Sequence, residues 1–241
     1  MSTFLLVHGA WQTSSTWDLS VPLLQKAGHV VVVPQLNGLE NDGIALSPSI
    51  SLSTHIENVV EVLNRENLDH VTLVGHSYAG MIISGVAEQV PHRLKRLVYV
   101  DAFVPDDGQS VLDLLPVPLV EMFKRVANGN GEGWRLRAGE AQLDMWGLKP
   151  GPERDFVQLR LSDFSLRCFE EEVSLPTDAA MRLPRTFIGC VAEEYPARSV
   201  FQRFSDRARD EEWTCYELPT GHACHVEMPD AFVSKLLLPL R

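Results

Sequence analysis

Short, nearly unbroken apolar runs alternate with stretches of helical spacing along the first hundred residues. Phe4-Leu5-Leu6-Val7, stopped by His8-Gly9, predicts a buried strand and a turn. Trp17, Val21, Leu23, Leu24 and Ala27 follow at helical spacing, and Gly28 closes them. Val30 to Val33 predict a second buried strand, ended by Pro34, and a polar loop containing Gly and Ser runs from Asn37 to Ser53. Between Leu52 and Asn67, Ile56, Val59, Val60 and Leu63 share one helical face. Val71 to Val74 predict a third strand that Gly75 stops. Met81, Ile82, Ile83, Val86 and Ala87 then return to helical spacing until near Pro91. Leu97-Val98-Tyr99-Val100 is a fourth strand, ending at Asp101. This β-α-β-α-β-α-β order with continuous apolar strands predicts the α/β class, a mostly parallel sheet covered by helices on both faces.

Residues 105–184 interrupt the rhythm with Pro116-Val117-Pro118, Gly129-Asn130-Gly131 and Pro150-Gly151-Pro152 between short helical patterns. The segment carries Phe123, Trp134, Met145, Trp146, Phe156, Phe164 and Phe169. It reads as a helical lid inserted into a core made of residues 1–104 and 185–241. Its aromatic side chains partly pack a small core of their own and partly face a ligand. Thr186-Phe187-Ile188 with Cys190 resumes the sheet, Trp213 to Leu218 give a last strand, and a helix over 229–238 closes the chain. There is no internal repeat.

The chemistry concentrates at Val74-Gly75-His76-Ser77-Tyr78-Ala79-Gly80, where a strand turns sharply into a helix. A serine there is lifted clear of the sheet, the geometry of a nucleophile elbow. The pattern departs from G-x-S-x-G only in its last place, Ala79 followed by Gly80. A serine hydroxyl needs a base, and in this chain order a histidine after the last strand supplies it. His222 in Thr220-Gly221-His222 holds that place; His225, near the final helix, reads as a solvated or capping residue. His8 and His76 lie beside the elbow and read as structural, while His29, His55, His70 and His92 show nothing above a surface or strand-edge background.

The acid that would orient the imidazole has two sources. Asp101 ends the strand next to the elbow, so its carboxylate projects at the same sheet edge as Ser77; Glu193 and Glu194 follow the strand at 186–190. The backbone N–H groups of Tyr78 and Ala10 are the expected oxyanion donors. Trp11 and the Tyr78 side chain are pocket candidates by proximity.

Composition narrows the partners. The 241 residues carry a formal charge of −11 with no basic run, which argues against nucleic acid and anionic membrane. Cys168, Cys190, Cys215 and Cys224 show neither C-x-x-C nor zinc spacing, and Cys190 and Cys215, in apolar strand-like runs, are expected to be buried free thiols. With no apolar stretch of membrane length and no signal-like start, a cytoplasmic location is the expectation.

Together these residues resemble the α/β-hydrolase superfamily, and within it the plant methylesterase and hydroxynitrile lyase branch with its bacterial esterase relatives. The likeness covers nearly the whole chain. It rests on Leu6-Val7-His8-Gly9-Ala10-Trp11, Val74-Gly75-His76-Ser77, Leu97 through Pro105, Phe201-Gln202-Arg203-Phe204 and Gly221-His222. It implies a lidded α/β-hydrolase fold, no cofactor, and ester, thioester or lactone chemistry through a Ser-His-acid triad. Three departures stand out. Lyases of the branch carry a lysine after the histidine and a threonine at the position of Gly9, whereas this chain has Ala223 and Gly9. Esterases of the branch place Asp three residues after a Cys-Thr pair, whereas this chain reads Cys190-Val191-Ala192-Glu193-Glu194. Asp101 is similar to the acid of haloalkane dehalogenases, although Ser77 stands where those enzymes have an Asp nucleophile. The expected activity is hydrolysis of a small hydrophobic or aromatic ester or lactone. A lyase or cofactor-free oxygenase using the same Ser-His pair, or a ligand receptor of low turnover, are the alternatives that fold alone leaves open.

Overall fold

The first apolar run becomes β1 (Thr3–Val7), which lies between two parallel neighbours in the computed structural model. The structure describes residues 1–39, 43–177 and 179–238; part of the expected loop from Asn37 to Ser53, residues 40–42, lies outside them. After β1, Trp17 falls in a short turn (Ser14–Trp17) rather than the predicted helix, and α1 (Val21–Lys26) starts only where Pro22 can sit in a first turn. β2 (Val30–Val32) follows at the edge of the sheet, where Val30 is exposed and Val31 and Val32 only half-buried, not buried as expected; α2 (Leu52–Arg65) is opened by a capping box between Ser51 and Thr54. β3 (Val71–His76), α3 (Ala79–Gln89) and β4 (Leu94–Val100) complete the first half. β4 starts three residues before the apolar run, because Leu94 and Arg96 pair with Val71 and Thr72 while the exposed Lys95 is skipped by the register between them.

Residues 105–184 hold α4 (Val117–Asn130), β5 (Arg135–Leu136), α5 (Glu140–Met145), α6 (Pro152–Gln158), β6 (Phe164–Ser165) and α7 (Arg167–Glu170). β5 and β6 pair antiparallel in a small sheet of their own. The chain then returns through β7 (Arg185–Cys190), α8 (Arg198–Asp210), β8 (Thr214–Leu218), α9 (Cys224–Glu227) and α10 (Pro229–Leu237).

The main sheet has the order β2-β1-β3-β4-β7-β8 with every pair parallel. All six residues of β3 are buried, as a strand covered on both faces requires. Strand order reverses direction between β1 and β3, so the crevice outside their carboxyl ends is where a ligand belongs. Four ends crowd there: His8 to Trp11 after β1, Ser77 after β3, Asp101 after β4, and His222 after β8. The 105–184 segment is tied to these loops. Trp11 donates its indole N–H to the Leu136 carbonyl (3.1 Å), Ser162 N–H bonds the Trp11 carbonyl (2.7 Å), and His222 N–H bonds the Trp146 carbonyl (2.8 Å). Among the described residues no helix is long and apolar enough to cross a membrane, and the four cysteines are unpaired thiols, three buried and Cys215 half-buried.

Candidate active site

β3 does not stop at Val74. Gly75 pairs with Val7 and Tyr99 in register, and the ladder runs on to His76. Glycine is needed at 75 for another reason: a Cβ there would lie 2.7 Å from the Ala79 carbonyl oxygen, where α3 folds back against the strand. Gly80 serves the same turn one place later than the sequence motif expects, since a Cβ there would meet the Phe103 carbonyl oxygen at 2.0 Å.

Between these glycines Ser77 takes φ +58, a left-handed conformation that costs a non-glycine residue about 1–3 kcal/mol. Three hydrogen bonds hold it. Ser77 N–H donates to the Val100 carbonyl (3.1 Å), and its own carbonyl accepts from Gly80 N–H (3.1 Å) and Phe103 N–H (3.2 Å). From Val71 through Ala87, Ser77 is the one residue that is not buried.

The loop after β1 approaches so closely that a Cβ on Gly9 would lie 2.9 Å from Ser77 Cβ. Gly9 N–H is taken by Gln12 Oε1 (3.2 Å) and Gln12 N–H by the Gly9 carbonyl (3.4 Å). The Ala10 and Tyr78 amides have no acceptor among the described residues. The Tyr78 amide opens α3, whose N-terminal end carries the positive pole of the helix dipole.

His222 is buried with its two nitrogens in different surroundings. Nδ1 lies 2.7 Å from Asp101 Oδ2, while the ring is stacked by Phe201 (centroids 4.7 Å apart) and flanked by His76 (4.4 Å). Its carbonyl accepts from His76 Nε2 (2.9 Å), which fixes the turn from behind. With Nδ1 donating to Asp101, Nε2 is the basic nitrogen, and His222 lines the same chamber as Ser77. Burial pushes the imidazole pKa down to about 3.

Asp101 comes from the end of β4 at φ +42, with its amide on the Ile188 carbonyl (2.8 Å). Its Oδ1 accepts Cys190 N–H (3.1 Å), and its Oδ2 accepts both the imidazole and the Tyr195 hydroxyl (2.8 Å). Burial raises the carboxyl pKa to about 7, against the lowering effect of the Cys190 and Tyr195 donors.

Glu193 and Glu194 are exposed at the start of the loop after β7. Glu194 pairs with Lys149 (3.4 Å) at the surface, its side chain 71% accessible, so the structure does not bring it to the imidazole. The side chain that turns inward from this loop is Tyr195, which sequence reasoning passed over because a tyrosine is no candidate for the acid.

Two histidines also differ from expectation. His225 is fully buried, not solvated: its ring packs on Trp17 (4.4 Å) and His76 (4.6 Å), and neither nitrogen has a partner. His55 is buried as well, bonding the Tyr78 hydroxyl (3.1 Å) and the Asn37 carbonyl (3.0 Å). The Tyr78 side chain therefore points away from the chamber, into a cluster with Phe164 and Phe169.

The chamber at Ser77 has a volume of about 40 Å³. Ala10, Trp11 and Phe103 wall it from the core, and Phe123, Trp146 and Phe169 from the 105–184 segment. Trp134 and Phe156 do not line it; they lie half-buried under Arg135 and Arg160. Among the described residues no group of three or more His, Cys, Asp or Glu side chains is placed to hold a metal ion.

A strand-turn-helix serine, a histidine after the last strand and a parallel sheet with a switch point define a recognisable frame. Residues 4–235 match the model of the alpha/beta hydrolase family. The chain belongs to that family. This α/β-hydrolase is 31% identical over 245 residues to a carbendazim hydrolyzing esterase from Nocardioides sp. (strain SG-4G), covering 98% of each chain. Methylesterase 1 of Arabidopsis thaliana is 32% identical over 168 residues, 67% of this chain and 60% of that protein. The α-hydroxynitrile lyase of the same plant is 29% identical over 164 residues, 66% of this chain and 59% of that one. Among solved structures, an extracellular alpha/beta-hydrolase from a Paenibacillus species superposes with a TM-score of 0.85 at 22% identity, covering 98% of both chains. That last likeness is one of fold.

Proposed function

We propose that this α/β-hydrolase is a serine esterase acting on a small hydrophobic or aromatic ester or lactone through an acyl-enzyme. The observation that carries the reading is the buried Asp101–His222 pair, 2.7 Å apart, opening with Ser77 on one apolar chamber. Ser77 Oγ attacks the carbonyl carbon while His222 Nε2 takes its proton. The oxyanion is received by the Ala10 and Tyr78 amides. His222 then gives the proton to the leaving group, and in a second round activates water to release the acid. Asp101 orients the imidazole and stabilises its charged form. Residues 105–184 act as the lid, excluding water from the chamber. No step uses a cofactor.

The relatives support the hydrolytic reading, since a protein matched along 98% of its length is named an esterase. Ala223, directly after His222, is buried and uncharged and offers no cation for a cyanide leaving group, which weighs against the lyase alternative. The test is hydrolysis of p-nitrophenyl acetate together with labelling by a small alkyl fluorophosphonate. Wild type should turn over and label, and Ser77→Ala should lose at least about 10⁴-fold in kcat and all of the label. A wild type that is inert in both assays would overturn the proposal in favour of a receptor.

A further inference from the structure

A chamber of about 40 Å³ has room for only a few heavy atoms. Beside it lies a second, open space of about 540 Å³, within the size range of small-molecule sites. It runs between α4, α5 and the start of α8. The two spaces share Leu119, Phe123, Met145, Ala197 and Val200 as walls, so they adjoin one another. The groove is apolar. Its one charged wall residue, Asp144, is engaged by Arg154 at 2.7 Å, leaving no free charge for an ionic ligand. Met122 and Met145 add flexible, polarisable surface suited to aromatic rings.

The groove lies on the imidazole side. Met145 precedes Trp146, whose carbonyl holds the His222 amide, and Val200 precedes Phe201, which stacks on the His222 ring. In acyl transfer the imidazolium gives its proton to the departing atom, so the leaving group sits on that side. The acyl substituent is then left the part of the chamber lined by Ala10 and Trp11, which do not border the groove.

We infer that the substrate is asymmetric, with a small acyl group of acetyl or methoxycarbonyl size in the chamber and a larger, uncharged, apolar leaving group in the groove. This rests on the serine-esterase reading above. The Ser77 Oγ–carbonyl bond forms and the bond from carbonyl to leaving oxygen or nitrogen breaks. The serine proton passes through His222 to that leaving atom, and water later replaces Ser77 on the acyl carbon.

Two ester series test it. With p-nitrophenol fixed as leaving group, kcat/KM should fall about 10-fold or more from acetate to octanoate. With acetate fixed, it should rise about 10-fold from phenyl to 4-phenylphenyl acetate, whose phenols are of similar acidity. Ala197→Trp, Val200→Trp and Met122→Trp narrow the groove and should shrink the ratio between 4-phenylphenyl and phenyl acetate. Val126→Trp, on the exposed side of α4, should leave that ratio as it is. Reading a ratio within one variant cancels any partial loss of folded protein. A flat or reversed size profile in a protein that still labels with fluorophosphonate overturns the groove alone. Loss of both labelling and turnover in wild type overturns the esterase reading with it.

Discussion

The Tyr195 hydroxyl lies 2.9 Å from Nδ1 of His222, and both groups meet the same carboxylate oxygen of Asp101, at 2.8 and 2.7 Å. The carboxylate is thus held by a phenol from the loop after β7 as well as by the Cys190 amide. Hydrogen bonds to a buried charged group contribute about 1.5–3 kcal/mol. Tyr195→Phe should therefore lower kcat about 10-fold with little change in KM. Because the phenol stabilises the ionised carboxylate, its loss should also move the acid limb of the pH–rate profile upward. A kcat loss with an unmoved limb would reduce Tyr195 to packing.

The choice of acid separates two strands. Asp101→Asn should cost about 10²–10⁴ in kcat, because an amide allows the wrong imidazole tautomer. The double change Glu193→Gln/Glu194→Gln removes only exposed charge and one surface ion pair, and should stay within about 2-fold. Steady-state kinetics on one activated ester decides it; the reverse ranking would return the acid to the β7 loop.

Activity should follow the protonation of the Asp101–His222 pair. The competent form has an ionised carboxylate and a neutral imidazole. With burial raising Asp101 to about 7, the pair carries an extra proton below that pH, and His222 loses the carboxylate that stabilises its charged form. A plot of kcat/KM against pH should rise through a midpoint near 7 to an alkaline plateau. A midpoint near 4 would show that the carboxylate is solvated.

Acid stability should be governed by histidines. His8, His55, His76, His222 and His225 are all buried, and burial lowers the pKa of each, His8 and His222 to about 3 and His55 to about 4. Above about pH 6.5 they are neutral in both the folded and unfolded states, and their full contribution is present. As pH falls below that value the unfolded chain binds protons that the folded one refuses. Each histidine then lowers stability by about 1.4 kcal/mol per pH unit, until its own folded value is reached. Asp101, shifted the other way, offsets one of them between about pH 7 and 4. Urea unfolding at pH 7.5, 6 and 5 should show a steep decline. His225→Phe, which removes two unpartnered nitrogens, should flatten it by one histidine's share; an unchanged slope would mean that His225 is protonated in the fold.

The elbow was legible because its requirements are local. Gly75, Ser77 and Gly80 mark a strand that turns at once into a helix, and the structure adds only which carbonyls those glycines avoid. The parallel sheet was legible for a similar reason: strands covered on both faces are apolar at every position. Trp17 misled, since its helical spacing to Val21 reflects a shared burial across a turn, not one helix. His55 and His225 carry no local sign of burial; their surroundings come from Asn37, Tyr78, Trp17 and His76, remote in the chain.

By itself, then, the sequence determined the α/β class, the serine on its turn and the histidine after the last strand, because periodicity and turn chemistry act over neighbouring residues. Only the tertiary structure placed Asp101, and neither Glu193 nor Glu194, beside the imidazole, brought Tyr195 to the same oxygen, and divided the aromatic rings of residues 105–184 between chamber wall and packing. The physical reason is that the ends of β4, β7 and β8 lie side by side in the sheet while far apart along the chain. Which carboxylate faces the imidazole depends on that adjacency and on which way a loop turns its side chains.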